Sequence, residues 1–315
     1  MLITRLFNAL CYIAAAALLA LGGVVWLDPM KRELYLIDIF TLPVLTVTAG
    51  LALLFLLMRK ALPCVMALIA SVLMAISLIP AAVNHSPPPA MGTKPVKLIF
   101  ANLWVNNKTP EALADWVIAE NPDVVTYIED SPGAEKRLMP ILTQRYEYHF
   151  ETWDSHVFSR FPLANAHGYI DHRNLHRVDV LAPQGRFTLV VAHFTRPWPF
   201  QPPQAQVRQR DFLNDYLIDH TGANTVIIGD FNSTPSADLL HTLMKANALS
   251  AAPTIGGTWP ARLPAPLRVN IDNVFARHDI SLSRKTIGPF NGSDHLPVMV
   301  DIRPARHTSA TSQVR

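Results

Sequence analysis

Three long apolar runs in the first 84 residues constrain this chain more than any other feature of its sequence. They cover residues 8–27, 35–58 and 61–83, and Asp38 is the only charged residue inside them. Each run reaches the roughly 20 residues that a helix needs to cross the hydrocarbon core of a bilayer. Short charged connectors separate the runs, which is unusual for buried helices of a soluble domain. The sequence therefore predicts three transmembrane helices in a membrane segment, residues 1–84.

The first run also has some features of a signal peptide, because Arg5 precedes it. However, it lacks a small-x-small cleavage site and is followed by two further runs, which favours an anchor. Three spans would place the two ends of the chain on opposite sides of the membrane. The basic residues near the span ends do not fix the orientation, since they divide three against four: Arg5, Arg59 and Lys60 against Lys31, Arg32, Lys94 and Lys97.

The composition of the sequence after residue 84 indicates three regions. Residues 85–95 are rich in proline and predict a semi-rigid spacer, residues 96–303 predict a folded domain, and residues 304–315 predict a disordered polar tail. Both cysteines lie in the apolar runs, so the domain has neither a disulfide nor a thiolate metal site. From Met91 onward there are 22 Lys and Arg against 21 Asp and Glu, a net charge of +1. That balance lacks the basic excess typical of proteins that track long nucleic acids.

Short apolar runs alternate with amphipathic stretches in the domain, which predicts an α+β fold built in layers. Ser236, after Pro235, is the expected N-cap of the last helix. The predicted strands cover residues 96–101, 123–128, 156–160, 177–182, 186–193, 225–230, 270–276 and 296–302, and the predicted helices cover 109–120, 134–143, 205–220 and 236–247.

Most of these strands end or begin beside a residue able to bind a metal ion or transfer a proton: Asn102, Glu129, His193, Asp230 with Asn232, Asp272, and Asp294 with His295. Any one of them could be an ordinary turn residue. Together they indicate one site assembled at strand ends. Carboxylate and amide oxygens suit Mg²⁺, with Mn²⁺ as the alternative. The chain contains no HExxH, GxSxG or P-loop motif.

Two of these stretches, GDFN (229–232) and SDH (293–295), resemble motifs of the endonuclease/exonuclease/phosphatase superfamily, which has the DNase I-like fold. The order of the other motifs also resembles that family: Asn102, PDVVTYIE ending at Glu129, SRFPL, VVAH ending at His193, and NID ending at Asp272. The resemblance covers about residues 95–303. It implies a four-layer α/β-sandwich, with two packed mixed sheets flanked by helices.

The resemblance also implies metal-dependent cleavage of a phosphoester in a catalytic domain of residues 96–303. Carried over by position, the expected metal-site residues are Asn102, Glu129 and Asp294, and the expected catalytic residues are His193, Asp230, Asn232, Asp272 and His295. Asp230 is expected to orient or deprotonate the attacking water, and the two histidines to contact the scissile phosphate. The sequence departs from the family pattern at Asn273 and Leu296, and no acidic partner for His193 can be read from it.

The loop after His193 contains Arg196 and Trp198, which are candidate substrate-binding residues for phosphate and for an apolar group. The alternative for this loop is a proline-stiffened surface turn. The apolar front and the TWP stretch (258–260) also resemble membrane-tethered bacterial members of the superfamily. That likeness places the expected protein in the inner membrane as a multi-pass protein, with its catalytic domain on the periplasmic side.

Two functions remain open from sequence. The first is a membrane-anchored Mg²⁺-dependent phosphoesterase that cleaves a lipid headgroup or another membrane-proximal phosphodiester by in-line attack of water. The second is a membrane-anchored nuclease acting on DNA or RNA, which the charge balance does not favour. A third hypothesis, a non-catalytic binding module, is disfavoured because the motif residues are all present. The oligomeric state is not indicated.

Overall fold

The computed structural model describes residues 2–27, 35–168, 170, 174–197 and 199–305. The helices are α1 (Leu2–Leu27), α2 (Tyr35–Ile39), α3 (Thr41–Leu57), α4 (Ala61–Ser77), α5 (Ile79–Ala82), α6 (Glu111–Glu120), α7 (Pro132–Thr143), α8 (Pro203–His220) and α9 (Asp238–Ala246). The strands are β1 (Val96–Asn102), β2 (Val124–Ile128), β3 (Tyr148–Glu151), β4 (Ser155–Ser159), β5 (Leu163–His167), β6 (Leu175–Ala182), β7 (Gly185–His193), β8 (Thr225–Asp230), β9 (Ser250–Ala251), β10 (Asp272–Ala276), β11 (Ile280–Leu282), β12 (Thr286–Ile287) and β13 (Val298–Pro304).

Within the described residues, the strands form two mixed sheets that pack face to face. One has the order β11-β13-β1-β2-β4-β3, with β12 beside β13, and the other has the order β5-β6-β7-β8-β10-β9. Alternate side chains of each strand point to opposite faces. In β1, Leu98 and Phe100 enter the core between the sheets, whereas Ile99 and Ala101 face outward.

Helices cover the outer face of each sheet, which completes four layers. α6 and α7 pack on the first sheet through Leu113, Val117, Leu138 and Leu142. α8 and α9 pack on the second through Leu213, Leu217, Leu239, Leu240 and Leu243. Burial of each such leucine contributes about 1.5–3 kcal/mol. The expected sandwich is confirmed, but Ser236 is not the N-cap of α9. That position is Ala237, because the Ser236 hydroxyl pairs with Thr234 instead.

The prediction of three transmembrane helices is wrong for the described residues. Among the helices that the structure describes, only α1, with 26 residues, is long and apolar enough to span a membrane. The second run breaks at Phe40 into α2 and α3, and the third ends as α4 at Ser77. α3 and α4 have 17 residues each, or about 26 Å of helix, against a hydrocarbon core of about 30 Å.

The N-terminal helices pack together and also contact the domain. Gly22 of α1 lies against Ala70 of α4 so closely that a Cβ on the glycine would be 2.9 Å from the Ala70 Cα. Small residues of this kind let helix backbones approach each other. α3 reaches the domain through Thr46, whose hydroxyl donates to the Pro266 carbonyl at 2.9 Å.

The proline-rich stretch lies along the domain and does not extend away from it as the expected spacer would. The Ser86 hydroxyl donates to the Leu282 carbonyl at 3.2 Å, and Pro89 forms a β-bridge with Ala305. Pro304, assigned from sequence to the tail, is the last residue of β13. Residues 306–315 of the predicted tail lie outside the described residues.

Candidate active site

Pairs of parallel strands bring the predicted residues to one edge of the sandwich. β1 and β2 run parallel in the first sheet, so their ends deliver Asn102 and Glu129 side by side. β7 and β8 run parallel in the second sheet, with His193 directly opposite Asp230. Because the two sheets pack face to face, these four side chains meet between them.

An amide links the two carboxylates. Asn102 Nδ2 donates to Glu129 Oε1 and to Asp230 Oδ2, both at 3.1 Å. Its Oδ1 accepts from the Trp104 backbone N–H at 2.9 Å, which holds the amide in that orientation. Asn102 therefore fixes the separation of the carboxylates, and both of them retain further oxygen lone pairs.

The backbone around the two carboxylates has special conformations. Glu129 and Asn232 have the left-handed backbone conformation, with φ of 54° and 47°. This conformation is costly for residues other than glycine and is concentrated at functional sites. Gly229 precedes Asp230 because the neighbouring strand is too close for a side chain: a Cβ there would lie 1.8 Å from the Ala192 carbonyl oxygen. The GD of GDFN thus permits β8 to pair tightly with β7.

His193 has an acidic partner that sequence reasoning missed. Its Nδ1 lies 2.9 Å from Asp154 Oδ2, and its Nε2 lies 3.1 Å from Glu129 Oε1. Burial lowers the pKa of His193, but the hydrogen bonds to Asp154 and Glu129 outweigh burial and raise it to about 10. Burial likewise raises the pKa of Glu129, yet the hydrogen bond and charge of His193 bring it down to about 2. His193 is therefore an imidazolium at neutral pH.

The signal for Asp154 was present in the strand order. β2 and β4 are antiparallel, with Ile128 opposite Ser155, so the residue before β4 lies beside the residue after β2. Pairing the predicted strands in this order would have placed Asp154 next to Glu129.

We expect Asp154→Asn to move the alkaline limb of the pH–activity profile to lower pH by about 1–3 units. Asp154 raises the pKa of His193, so activity that needs the imidazolium is lost as pH rises through that pKa, and loss of the carboxylate charge brings this loss to lower pH. Steady-state hydrolysis of bis-p-nitrophenyl phosphate across pH measures it. The control is Asp215→Asn, on the exposed side of α8. An unchanged alkaline limb would show that Asp154 does not act through His193.

The second histidine is held in the same way. His295 Nδ1 lies 2.9 Å from Asp272 Oδ2, and the Thr258 hydroxyl donates to the same carboxylate. Burial lowers the pKa of His295, but the charges of Asp272 and Asp230 outweigh burial and raise it to about 9. Its Nε2 faces Asp230 Oδ2 at 3.8 Å, beyond hydrogen-bonding distance. The free Nε2–H is therefore available to a ligand between His295 and Asp230.

Asp230 is the most enclosed carboxylate of the site, with 1% of its surface exposed. Burial raises its pKa to about 6, with a further contribution from the charge of Asp272 that is offset by His295. Oδ1 accepts from the Asn232 backbone N–H at 2.8 Å. Asn232 itself is fixed by its side-chain amide, which donates to the Phe194 carbonyl at 2.9 Å. At neutral pH Asp230 is an ionised base of moderate strength.

Asp294 supports a cation at this site. Its Oδ2 accepts from the Trp259 indole N–H at 3.1 Å, while its buried Oδ1 has no hydrogen-bond partner. An unsatisfied buried carboxylate oxygen is costly unless a ligand occupies it. Carboxylate oxygens of Glu129 and Asp230 also lie within 4.8 Å of each other. This donor set, mostly of carboxylate oxygens, fits the divalent metal ion expected from the sequence.

A cavity of about 250 Å³ opens onto these residues. One wall is polar and consists of Glu129, Asp230, Asn232, Asp294 and His295. Asn102 and Asp272 lie behind that wall as hydrogen-bond partners. Arg196 also lines the cavity, and its guanidinium lies 5.8 Å from the centre of the Phe200 ring. Trp198, the other candidate substrate-binding residue, lies outside the described residues.

The rest of the cavity wall is apolar, and part of it comes from the N-terminal segment. Leu36, Ile39 and Phe40 line it from α2 and the residue that follows. On the domain side the wall consists of Pro197, Pro199, Phe200, Trp259, Val269 and Ile271. The same part of α2 packs on Val269 and Ile271. Sequence reasoning missed this contribution, because nothing in an apolar run shows which surface it packs on.

Several proteins of solved structure share this architecture. An endonuclease/exonuclease/phosphatase from Beutenbergia cavernae DSM 12333 aligns with a TM-score of 0.52 and 19% identity, covering 68% of this chain and 72% of that one. Sphingomyelinase C from Streptomyces griseocarneus aligns at 0.52 and 15%, covering 68% and 100%. D. rerio TDP2 complexed with single-strand DNA product aligns at 0.53 and 14%, covering 67% and 100%. At these identities the likeness shows the fold alone.

Comparison at the level of sequence identifies the family. The chain has no significant match among curated proteins. A model of the Endonuclease/Exonuclease/phosphatase family matches residues 99–295, well over half of the chain, from the middle of β1 to His295. With the geometry of the strand-end residues, this match establishes that the chain belongs to the endonuclease/exonuclease/phosphatase family and is a phosphoester hydrolase.

Proposed function

We propose that this enzyme hydrolyses the phosphoester of an amphiphilic substrate, such as a lipid headgroup, at a membrane surface. The observation that supports this most directly is the cavity in which the carboxylate and histidine wall faces an apolar wall. A substrate with a phosphate at one end and an apolar group at the other matches both walls. Burying the apolar group contributes about 25 cal/mol per Å² removed from water.

Membrane attachment is supported by the outer surface of the N-terminal helices. Their large apolar side chains point away from the protein, including Leu6, Leu10, Ile13, Leu53, Leu57, Leu62, Val65, Leu68 and Val72. A contiguous apolar surface of this kind is costly in water and typical of contact with lipid. We therefore propose that α1 spans the membrane and that α3 and α4 also contact lipid. An extracytoplasmic location of the domain is part of the same proposal.

Nucleic acid fits this site less well as a substrate. The chain after Met91 has a net charge of only +1, whereas binding along a polyanion relies on several phosphate contacts from Lys and Arg. An apolar wall beside the catalytic residues also offers no charge to a sugar-phosphate backbone. Nuclease activity is therefore the alternative outcome of the experiment below.

The chemistry can be assigned to named side chains. We propose that Glu129 and Asp294 hold Mg²⁺, with Mn²⁺ as a substitute, and that Asn102 keeps Glu129 in place. The bound ion would neutralise phosphate charge and polarise a P–O bond. Asp230 orients the attacking water and accepts its proton, which its pKa of about 6 allows at neutral pH.

The two histidines supply positive charge next to the phosphate, and both are imidazolium groups held by carboxylates, His193 by Asp154 and His295 by Asp272. The free Nε2–H of His295 can donate a charge-assisted hydrogen bond to a phosphoryl oxygen. His193, whose Nε2 lies 3.1 Å from Glu129, contributes its charge from behind that carboxylate. Donors already positioned where negative charge develops stabilise the transition state of in-line attack. Asn232 and Arg196 both line the cavity, and we assign Asn232 to orienting the phosphate and Arg196 to binding it.

The test compares three substrates with the full-length protein in nanodiscs and Mg²⁺: phospholipid in the disc, plasmid DNA, and bis-p-nitrophenyl phosphate. Release of a water-soluble phosphorylated headgroup, with the plasmid intact, is the expected result. Plasmid nicking that falls steeply with salt, without headgroup release, would replace the lipid proposal by the nuclease. Turnover of the small ester alone would retain the hydrolase and reject both.

We expect Phe40→Ser to lower kcat/KM for the lipid about 10–100-fold, because one apolar side chain is worth about 1.5–3 kcal/mol. Hydrolysis of bis-p-nitrophenyl phosphate, which is too small to need that wall, should remain within about twofold of the parent. Ile218→Ser on the outer face of α8, where Ile218 is 59% exposed, is the matched control for loss of an apolar side chain. Equal losses on both substrates would mean that Phe40 is structural and does not contact the substrate.

A further inference from the structure

We infer a second metal site, separate from the active site, at the β3–β4 hairpin. His149 and Glu151 are two residues apart on β3, and His156 lies on β4 directly opposite Glu151. The three side chains therefore project from the same face of the hairpin. The geometry points to a divalent transition cation of the Zn²⁺ class bound by two imidazoles and one carboxylate. This inference is independent of the proposed substrate.

The distances between the ligand atoms suit such an ion. His149 Nε2 lies 3.3 Å from His156 Nδ1. Glu151 Oε2 lies 3.8 Å from His149 Nε2 and 3.9 Å from His156 Nδ1. Bonds of about 2.0–2.1 Å in a tetrahedral site place neighbouring ligands about 3.3–3.4 Å apart. The two nitrogens are already at that separation. A small rotation of Glu151, whose side chain is 57% exposed, would bring the third ligand into place.

A carboxylate behind His156 is the second observation that favours a metal. His156 Nε2 lies 3.3 Å from Asp130 Oδ2, and both side chains are nearly buried, with 5% and 8% exposed. When Nε2–H donates to Asp130, the lone pair of Nδ1 faces His149 and Glu151. Metal-binding histidines almost always donate their other ring N–H to such a partner, which fixes the tautomer and increases ligand basicity. Tyr127 also stacks on the His156 ring at 4.7 Å, so the ring plane is fixed.

The chemical class of the ion follows from the ligands. Imidazole nitrogens select transition metals over Mg²⁺ and Ca²⁺, which prefer oxygen ligands. Three protein ligands leave one tetrahedral position for water, and the exposure of Glu151 gives that position access to solvent. The ion would join β3, at the edge of its sheet, to β4. Asp130 connects the site to the chain segment that carries Glu129.

The test uses Co²⁺ as a spectroscopic probe on the full-length protein, with Mg²⁺ in excess to occupy the active site. We expect visible bands of tetrahedral Co²⁺ that saturate at one ion per chain, and their loss in His149→Gln. Asp130→Asn should weaken Co²⁺ binding about 10–100-fold. Glu129→Gln, which alters the active site, should leave the bands intact.

The folding control is the Mg²⁺-dependent hydrolysis of bis-p-nitrophenyl phosphate, which His149→Gln should retain because His149 lies outside the cavity. Absence of tetrahedral bands in the parent protein would overturn the inference, as would bands that survive His149→Gln. Bands that disappear only in Glu129→Gln would assign the bound Co²⁺ to the active site and reject the second site.

Discussion

Asp230→Asn is expected to lower kcat about 10²–10⁴-fold, the usual contribution of a positioned acid or base. The amide has the same shape as the carboxylate, and its one oxygen can still accept from the Asn232 backbone N–H. Its NH2 group cannot accept from Asn102 and cannot take a proton from water. It also removes a charge that favours protonated His295. KM for bis-p-nitrophenyl phosphate should change little, because the loss falls on the transition state.

Asp215→Asn provides the matched control for this change, since it removes a carboxylate on the exposed side of α8 and should retain full activity. Thermal unfolding of both variants checks the fold. Because burial raises the pKa of Asp230, removing its charge should not lower stability, and the lost hydrogen bond from Asn102 should cost about 1–3 kcal/mol. A kcat within about tenfold of the parent would remove Asp230 from the role of base.

Glu129→Gln is the second substitution with a large expected effect, and this effect should fall on the Mg²⁺ dependence of activity. Loss of a ligand carboxylate should raise the Mg²⁺ concentration for half-maximal activity by at least about 100-fold, more than a supporting residue would. Activity at saturating Mg²⁺ should also fall, because His193 loses one of the two carboxylates that keep it protonated. Titration of activity with Mg²⁺, together with calorimetric Mg²⁺ binding, separates the two contributions.

The control for this substitution is Glu135→Gln on the exposed surface of α7. An unchanged Mg²⁺ dependence in Glu129→Gln would contradict the assignment of Glu129 as a ligand. The pair of variants therefore distinguishes roles: Asp230→Asn should act on kcat at all Mg²⁺ concentrations, and Glu129→Gln chiefly on the Mg²⁺ dependence.

The domain fold could be predicted well because its signals are local. Each predicted strand is present with ends within about two residues, since buried β-branched runs bounded by turn residues are distinctive. The short strands β9, β11 and β12 were missed, and so were β3 and β5. The sequences of β3 and β5, YHFE and LANAH, lack the apolar content of a buried strand. They form at sheet edges because neighbouring strands supply the pairing, and that context is not visible in a local sequence window.

The candidate site could be predicted as a set of residues but not as a network. Motif order identified Asn102, Glu129 and Asp230, whereas their hydrogen bonds depend on how two sheets pack. Asp154 was missed because its role arises from the pairing of β2 with β4. Trp259 entered the sequence analysis only as part of the TWP stretch, with no predicted role. Its hydrogen bond to Asp294 depends on a loop conformation that the sequence does not specify.

Membrane spans were predicted from the composition and length of the apolar runs, and the length of a run overestimates the length of the helix that it forms. Apolar runs long enough to span a bilayer are divided at Phe40 and at Leu78, where the helices end. The part before Phe40 packs on Val269 and Ile271. Apolar content thus reflects contact with the domain as well as contact with lipid, and hydropathy does not separate the two.

Because α2 packs on the domain and lines the cavity, the N-terminal segment cannot be removed without changing the cavity. A fragment starting after the proline-rich stretch would keep the polar wall of the cavity but lose Leu36, Ile39 and Phe40 from it, leaving Val269 and Ile271 open to water. Such a fragment should be prone to aggregation. It should hydrolyse apolar substrates slowly and small soluble esters at the normal rate. Substrate surveys on excised domains would then report the chemistry of the family and not the preference of this protein.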